Sequence, residues 1–226
     1  MAQLHVIFDK DGVITDNNSY HFDAWQVFFQ KYNVSVPAED FHARVFGKTN
    51  QEILVELFEG PLTDQQLEDW AEEKEAMFRE IYKEHFVLTP GLPAFLEELY
   101  IAKIPAAVAT NAPQSNLDFT LDTGKIRHVF QVTITPKAVA LPKPAPDIYI
   151  KAAELLGAAP NQCVVFEDSF TGIDAALAAG CNVIGVASTY PAEDLAKVVH
   201  HVIKDFREIN LPWLQAWFDA RVAVNK

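Results

Sequence analysis

The chain has 226 residues, half of them apolar and 22% charged, a composition that folds as one or two globular domains and excludes a disordered or fibrous protein. With 18 Lys and Arg against 31 Asp and Glu the formal charge is −13, which repels phosphate backbones and anionic lipid, so neither nucleic acid nor membrane is expected as a partner. Two cysteines are too few for a disulfide framework, the first residues carry no basic region, and no apolar run reaches about eighteen residues, so a cytoplasmic protein without a membrane helix is expected.

In chain order, residues 4–8 (LHVIF) form a short apolar run ending at Asp9. No strand pattern follows from about 17 to 86. Instead, residues 20–32 set Phe22, Trp25, Phe28 and Phe29 at helical spacing, and residues 64–85 form a long charged helical stretch with Leu67, Trp70, Met77, Phe78 and Ile81 on one side. A helix opening at Pro90 and Gly91 runs to about Tyr100. Further apolar runs occupy residues 104–110 (IPAAVAT), 131–135 (QVTIT), 163–166 (CVVF, ending at Glu167 and Asp168), 182–187 (NVIGVA) and, as an edge, 201–204. Helical patterns over residues 145–156 and 172–179 lie between them, each closed by a glycine, Gly157 and Gly180. Short β-branched runs bounded by polar residues read as buried parallel strands, and their alternation with helices predicts an α/β, doubly wound parallel sheet. The seventy residues without a strand predict a helical cap, 17–86, inserted into a catalytic core of 1–16 and 87–226, with hinges near 16–17 and 86–89; one irregular domain is the plainer alternative.

FDKDGVITD at residues 8–16 is the strongest chemical signal. In an extended segment residues two apart share a side, so Asp9 and Asp11 are expected to point the same way beyond the first strand, with Lys10 turned away as a surface or rim lysine and Gly12 allowing a sharp turn. Ligands of open α/β sheets bind outside that end of the strands. Two adjacent carboxylates repel, which invites a divalent cation or protonation of one of them. Three more clusters fall at or near such ends: Thr110 with Asn111, Glu167 with Asp168, and Lys143 between Pro142 and Pro144. Singly, each has a plain alternative: a strand end, a helix cap, a surface lysine. Together they assemble carboxylates, a cation, a hydroxyl and turn N–H groups, an inventory suited to phosphoryl transfer. A phosphate dianion approaches a carboxylate nucleophile only where its charge is neutralised. Aspartate is an established nucleophile of this kind, and a second Asp two residues on is placed to act as general acid and then general base.

FDKDGVITD, the ATN at residues 109–111, the KPAPD at 143–147 and the FEDS at 166–169 resemble the four motifs of the haloacid dehalogenase superfamily, over a core running from residue 4 to about 187. The helical insert lies where the type-one cap of that superfamily lies, and YHFDAW at residues 20–25 resembles its β-phosphoglucomutase branch. The resemblance implies a Rossmann-like core in which the strands ending in Asp9 and Asp168 are neighbours. It implies Asp9 as nucleophile and Mg²⁺ ligand, and Asp11 as acid/base with its backbone carbonyl on the metal. Thr110 and Asn111 would hold the transferring phosphoryl group, Lys143 would offset its charge, and Glu167 and Asp168 would complete the Mg²⁺ site, Asp168 as the direct ligand. His21, in the YHFDAW segment, would link substrate binding to positioning of the acid/base, and Trp25 belongs to the cap interior.

The departures from the pattern concern specificity. Lys10 stands where the superfamily usually has Leu, Met or Phe, and Asn17 where Ser or Thr is common. GKTNQEIL at residues 47–54 resembles the cap loop of β-phosphoglucomutase, but Asn50 falls where that enzyme carries an arginine for a second phosphate. An amide does not replace a guanidinium at a dianion, which leaves Lys48 as the candidate substitute. The resulting expectation is a monomeric Mg²⁺-dependent phosphatase acting on a small phosphorylated metabolite, such as a sugar phosphate, through an aspartyl phosphate. The alternative is a hexose phosphomutase.

Overall fold

Parallel strands buried on both faces need apolar residues at every position, and the chain supplies such runs at the centre of its sheet. The computed structural model describes residues 3–37, 40, 44–45, 49–58 and 60–224. Its strands are β1 (His5–Phe8), β2 (Ala106–Ala109), β3 (Val132–Ile134), β4 (Cys163–Glu167), β5 (Asn182–Val186) and β6 (His201–Ile203). They form one parallel sheet in the order β3-β2-β1-β4-β5-β6. All residues of β1, β2, β4 and β5 are buried, whereas the edge strands β3 and β6 are partly open. The order reverses between β1 and β4, so the crevice beyond their carboxyl ends is the topological switch point.

By its contacts the chain divides into two compact units, Met1–Asp16 with Val87–Lys226, and Asn17–Phe86. The first holds the sheet. Alternation along β1 sends Val6 and Phe8 into one core and Ile7 into the other, and β4 does the same with Val164 and Phe166 against Cys163 and Val165. Phe8 and Phe166 stack at 5.2 Å between ring centroids. In the second unit, α1 (Asn18–Lys31), α2 (Asn50–Leu57) and α3 (Asp64–Lys83) pack around Trp25, Phe28, Phe29, Ile53 and Leu54, and no strand occurs among its described residues. Capping boxes start α2 (Thr49 with Glu52) and α3 (Thr63 with Gln66).

The remaining helices flank the sheet: α4 (Leu92–Ile101), α5 (Gln114–Thr123), α6 (Asp147–Leu155), α7 (Phe170–Ala178), α8 (Ala192–Leu195) and α9 (Leu211–Val224). Leu92, Phe95, Leu96 and Leu99 of α4, Leu117 and Leu121 of α5, and Leu214 and Phe218 of α9 enter the core of Phe8, while α6 and α7 close the other. Helices α5, α8 and α9 go beyond the sequence expectation, and residues 50–54, expected in a loop, form the start of α2 once Thr49 caps it. Their apolar periodicity is weak, and packing against the sheet or a neighbouring helix decides them.

Candidate active site

Beyond the strand ends, the four motifs meet in the first unit. The Asp9 amide still donates to the Phe166 carbonyl (2.9 Å), which ties the end of β1 to β4. The Lys143 ammonium bridges two carboxylates, donating to Asp9 Oδ1 at 2.5 Å and Glu167 Oε1 at 2.7 Å, and it lies 4.8 Å from the centre of the Tyr149 ring. Carboxylate oxygens of Asp9, Glu167 and Asp168 fall within 4.8 Å of one another, all three residues buried. Small residues make this approach possible. A Cβ on Gly12 (φ +78°) would collide with the Asp168 carboxylate, and one on Gly172 with that of Glu167.

Glu167 is fully engaged. Tyr149 donates its hydroxyl to Oε1 (2.8 Å), and Oε2 accepts from the amides of Asp168 (2.9 Å) and Ser169 (3.0 Å) and the Ser169 hydroxyl (3.1 Å). The Ser169 hydroxyl in turn accepts from the Gly172 amide, capping α7. Asp168 accepts a hydrogen bond from Thr189. Asn111 clamps the loop that carries Lys143: its Oδ1 accepts from the Lys143 amide (3.2 Å) and its Nδ2 donates to the Lys143 carbonyl (3.3 Å). The Thr110 hydroxyl accepts from the Ala112 amide (3.0 Å), beside the Asn111 clamp.

Charge in this cluster is unbalanced, with three carboxylates facing one ammonium. Burial opposes ionisation of Asp9, and although Lys143 counters it, Glu167 and Asp11 add repulsion, so the Asp9 carboxyl is pushed up to about 7. Asp168 is driven well above the usual carboxylate range by burial and then by Glu167 and Asp9. Glu167 is buried too, but the Lys143 ammonium and its many donors outweigh burial and hold it below its ordinary value.

Lys10 and Asp11 depart from expectation. Lys10 is fully buried, not a rim lysine, and its ammonium contacts the Asp11 carboxylate. Alternation of sides applies only along an extended chain, and β1 ends at Phe8 before the turn at Gly12. The acids gathered by side chain are therefore Asp9, Glu167 and Asp168, with Asp11 turned to Lys10.

In the helical unit, His21 and Asn50 lie in one network. Lys74 Nζ lies 2.9 Å from His21 Nδ1 and donates to Glu75 Oε1 at 2.9 Å, and Asn50 Nδ2 donates to the same Glu75 oxygen at 2.7 Å. His21 stacks on Phe78 at 3.7 Å, and Trp25 is buried in the unit's core. Burial opposes the charge of Glu75, but Lys74, His21 and Asn50 together hold its carboxyl at about 2. Lys48 lies outside the described residues. Sequence reasoning missed Lys74, Glu75, Tyr149 and Thr189. Thr189 follows the carboxyl end of β5, a place where polar residues signal a site, whereas the other three sit inside helices and carry no local signal.

The model of the haloacid dehalogenase-like hydrolases matches residues 6–186, most of the chain and all four motifs. The chain belongs to that family. Among curated proteins, this hydrolase is 35% identical over 179 residues to a phosphorylated carbohydrates phosphatase of Thermotoga maritima, covering 77% of this chain and 81% of the relative. It is 31% identical to a β-phosphoglucomutase of Bacillus subtilis, covering 82% and 84%. Among solved structures, a family IA variant 3 hydrolase from Entamoeba histolytica superposes with a TM-score of 0.87 at 27% identity, covering 96% of this chain and 100% of the other. Its relatives are phosphatases and phosphomutases, so the hydrolase falls within the β-phosphoglucomutase-like branch and is an enzyme of phosphate-ester chemistry. Among the described residues, no helix is long and apolar enough to cross a membrane.

Proposed function

We propose that this hydrolase is a Mg²⁺-dependent phosphatase of small, singly phosphorylated sugars, with Asp9 as nucleophile. The observation that carries the proposal is the buried meeting of Asp9, Glu167 and Asp168 around one ammonium, Lys143, which leaves excess negative charge at the switch point. An all-oxygen, carboxylate-rich set of that kind fits a hard divalent cation. Asp9 and Asp168 would hold it with the backbone carbonyl of Asp11, while Glu167, saturated by Lys143, Tyr149 and backbone donors, orients the lysine from behind. The bound ion would supply positive charge for the phosphoryl oxygens.

The chain's own residues then account for both half-reactions. Asp9 Oδ attacks phosphorus as Asp11 gives a proton to the leaving oxygen, forming aspartyl phosphate. Water then attacks the same phosphorus, Asp11 takes its proton, and Asp9 leaves as the carboxylate. Lys143 neutralises Asp9 and the phosphoryl group, and Thr110 with the Asn111 amide contacts that group. Residues 17–86 would act as the cap that excludes bulk water from the aspartyl phosphate formed on the core.

Asn50 favours a phosphatase over a mutase. An amide does not replace a guanidinium at a dianion, and this one donates to Glu75 at 2.7 Å. The substrate class follows the phosphorylated carbohydrates phosphatase and β-phosphoglucomutase relatives. A reducing, cytoplasmic setting is proposed from Cys163 and Cys181, both free and buried. The test is a phosphate-release screen over sugar phosphates, nucleotides, pyrophosphate and phosphoglycolate, with isomerisation of β-glucose 1-phosphate followed in parallel. Release from one or more sugar monophosphates is expected. Isomerisation that needs a bisphosphate primer and releases no phosphate would overturn the phosphatase assignment.

A further inference from the structure

Lys10 is a charged side chain, fully buried between the two motif aspartates. Among the described residues its ammonium has one partner, Oδ1 of Asp11. A buried ammonium carries a desolvation cost that only a held acceptor offsets, so the two side chains constrain each other. The backbone beneath them is pinned independently. The Lys10 carbonyl accepts from the amides of Ile14 (2.9 Å) and Thr15 (3.3 Å), and the Gly12 amide donates to the Thr15 carbonyl (2.7 Å). The Asp11 side chain is 26% exposed, and by holding Oδ1 the ammonium restrains rotation of its carboxylate.

We propose that Lys10 is a positioning residue for Asp11: by holding Oδ1 it orients the carboxylate that carries the proton in both half-reactions. In the first, the Asp9–phosphorus bond forms, the ester phosphorus–oxygen bond breaks, and the Asp11 carboxyl proton goes to the leaving oxygen. In the second, water oxygen bonds to phosphorus, the Asp9–phosphorus bond breaks, and one water proton goes to the Asp11 carboxylate. Leu, Met or Phe at position 10 has no donor for this task. The proposal rests on the phosphatase assignment above, and one arm of its test does not.

The test is a double-substitution cycle of Lys10→Met and Asp11→Asn. Lys10→Met is expected to lower kcat for phosphate release about 10- to 100-fold with KM changed less than about twofold, because a misdirected acid/base slows chemistry without touching binding. In the Asp11→Asn background, Lys10→Met is expected to slow the residual phosphorylation of Asp9 no further. The second readout is thermal unfolding without substrate. Asp11→Asn replaces the opposite charge facing the ammonium with a neutral amide and lowers Tm, and adding Lys10→Met raises Tm above that of Asp11→Asn alone. Unchanged kcat in Lys10→Met, an additive loss in the double variant, or weakened Mg²⁺ binding in step with kcat would overturn the role. A double variant that melts no higher than Asp11→Asn would overturn it as well. Lys10→Gln, whose amide keeps one donor, covers a Lys10→Met that does not fold: a loss of about 3- to 10-fold in kcat with KM held supports the role, and unchanged kcat overturns it. If the wild type released phosphate from nothing in the screen, the phosphatase assignment would fail while the Tm cycle still reported on the pair.

Discussion

Lys143 and Lys74 each anchor a buried polar cluster, one in each unit, and the two clusters end in opposite electrostatic states. Lys143 faces Asp9 and Glu167, with Asp168 beside them. Lys74 donates to the Glu75 carboxylate and lies beside the His21 ring, and the Asn50 amide donates to the same carboxylate. The second cluster is balanced, and Glu75 is held at about 2. The first is not, and Asp9 is pushed to about 7 while Asp168 is held well above its ordinary range. The difference teaches where chemistry resides. Burial alone is common to both, whereas uncompensated charge at strand ends marks the place that accepts a cation and an anionic substrate.

The sharpest way to break the comparison is Asp9→Asn. It removes the nucleophile while keeping the shape of the side chain, and phosphate release is expected to fall more than about 10³-fold with the far-UV spectrum unchanged. Chelation comes next. EDTA is expected to abolish turnover and Mg²⁺ to restore it, and calorimetry in two buffers of different ionisation enthalpy should record protons released as the metal binds. The two clusters also predict opposite responses of the metal-free protein to pH. A carboxyl raised from 3.8 to about 7 holds its proton more tightly folded than unfolded, so Asp9 makes stability fall as pH rises through that window, and Mg²⁺ should flatten the slope. Glu75, lowered from 4.5 to about 2, contributes stability that is present above its unfolded value and lost as pH falls toward 2. Melting curves from pH 2 to 8, with and without Mg²⁺, separate the two.

Smaller effects sharpen the view of the helical unit as balanced. Glu75→Gln removes the buried carboxylate to which Lys74 donates and should cost about 3 kcal/mol in denaturant unfolding, much of it recovered by adding Lys74→Met. Thr63→Ala removes one half of the capping box of α3 and should cost about 1 kcal/mol, with phosphate release unchanged.

Much of the first cluster was legible before any coordinates. Asp9, Thr110, Glu167 and Asp168 each follow a short β-branched run, and residues at the carboxyl ends of parallel strands must share one edge of the sheet. Lys143 was legible only as a lysine between prolines, and its reach to Asp9 and Glu167 depends on the loop that Asn111 clamps. The second cluster was half hidden. His21 and Asn50 stood out by their neighbours in sequence, but Lys74 and Glu75 sit within a charged helical stretch and look like solvated surface. Lys10 misled for a related reason, since the rule of alternating sides lapses where the strand ends.

Local chemistry in the chain determined the parallel α/β sheet, the helical insert after its first strand, and the acids that line the strand ends, because backbone periodicity and glycine turns are written in adjacent residues. Only tertiary structure decided which charges are buried and with whom: Lys143 between two acids, Lys10 on Asp11, Lys74 on Glu75. Burial is a property of what packs around a side chain from distant parts of the chain, and it is burial that turns a nearby charge from a screened surface pair into a force that moves a carboxyl by several pH units.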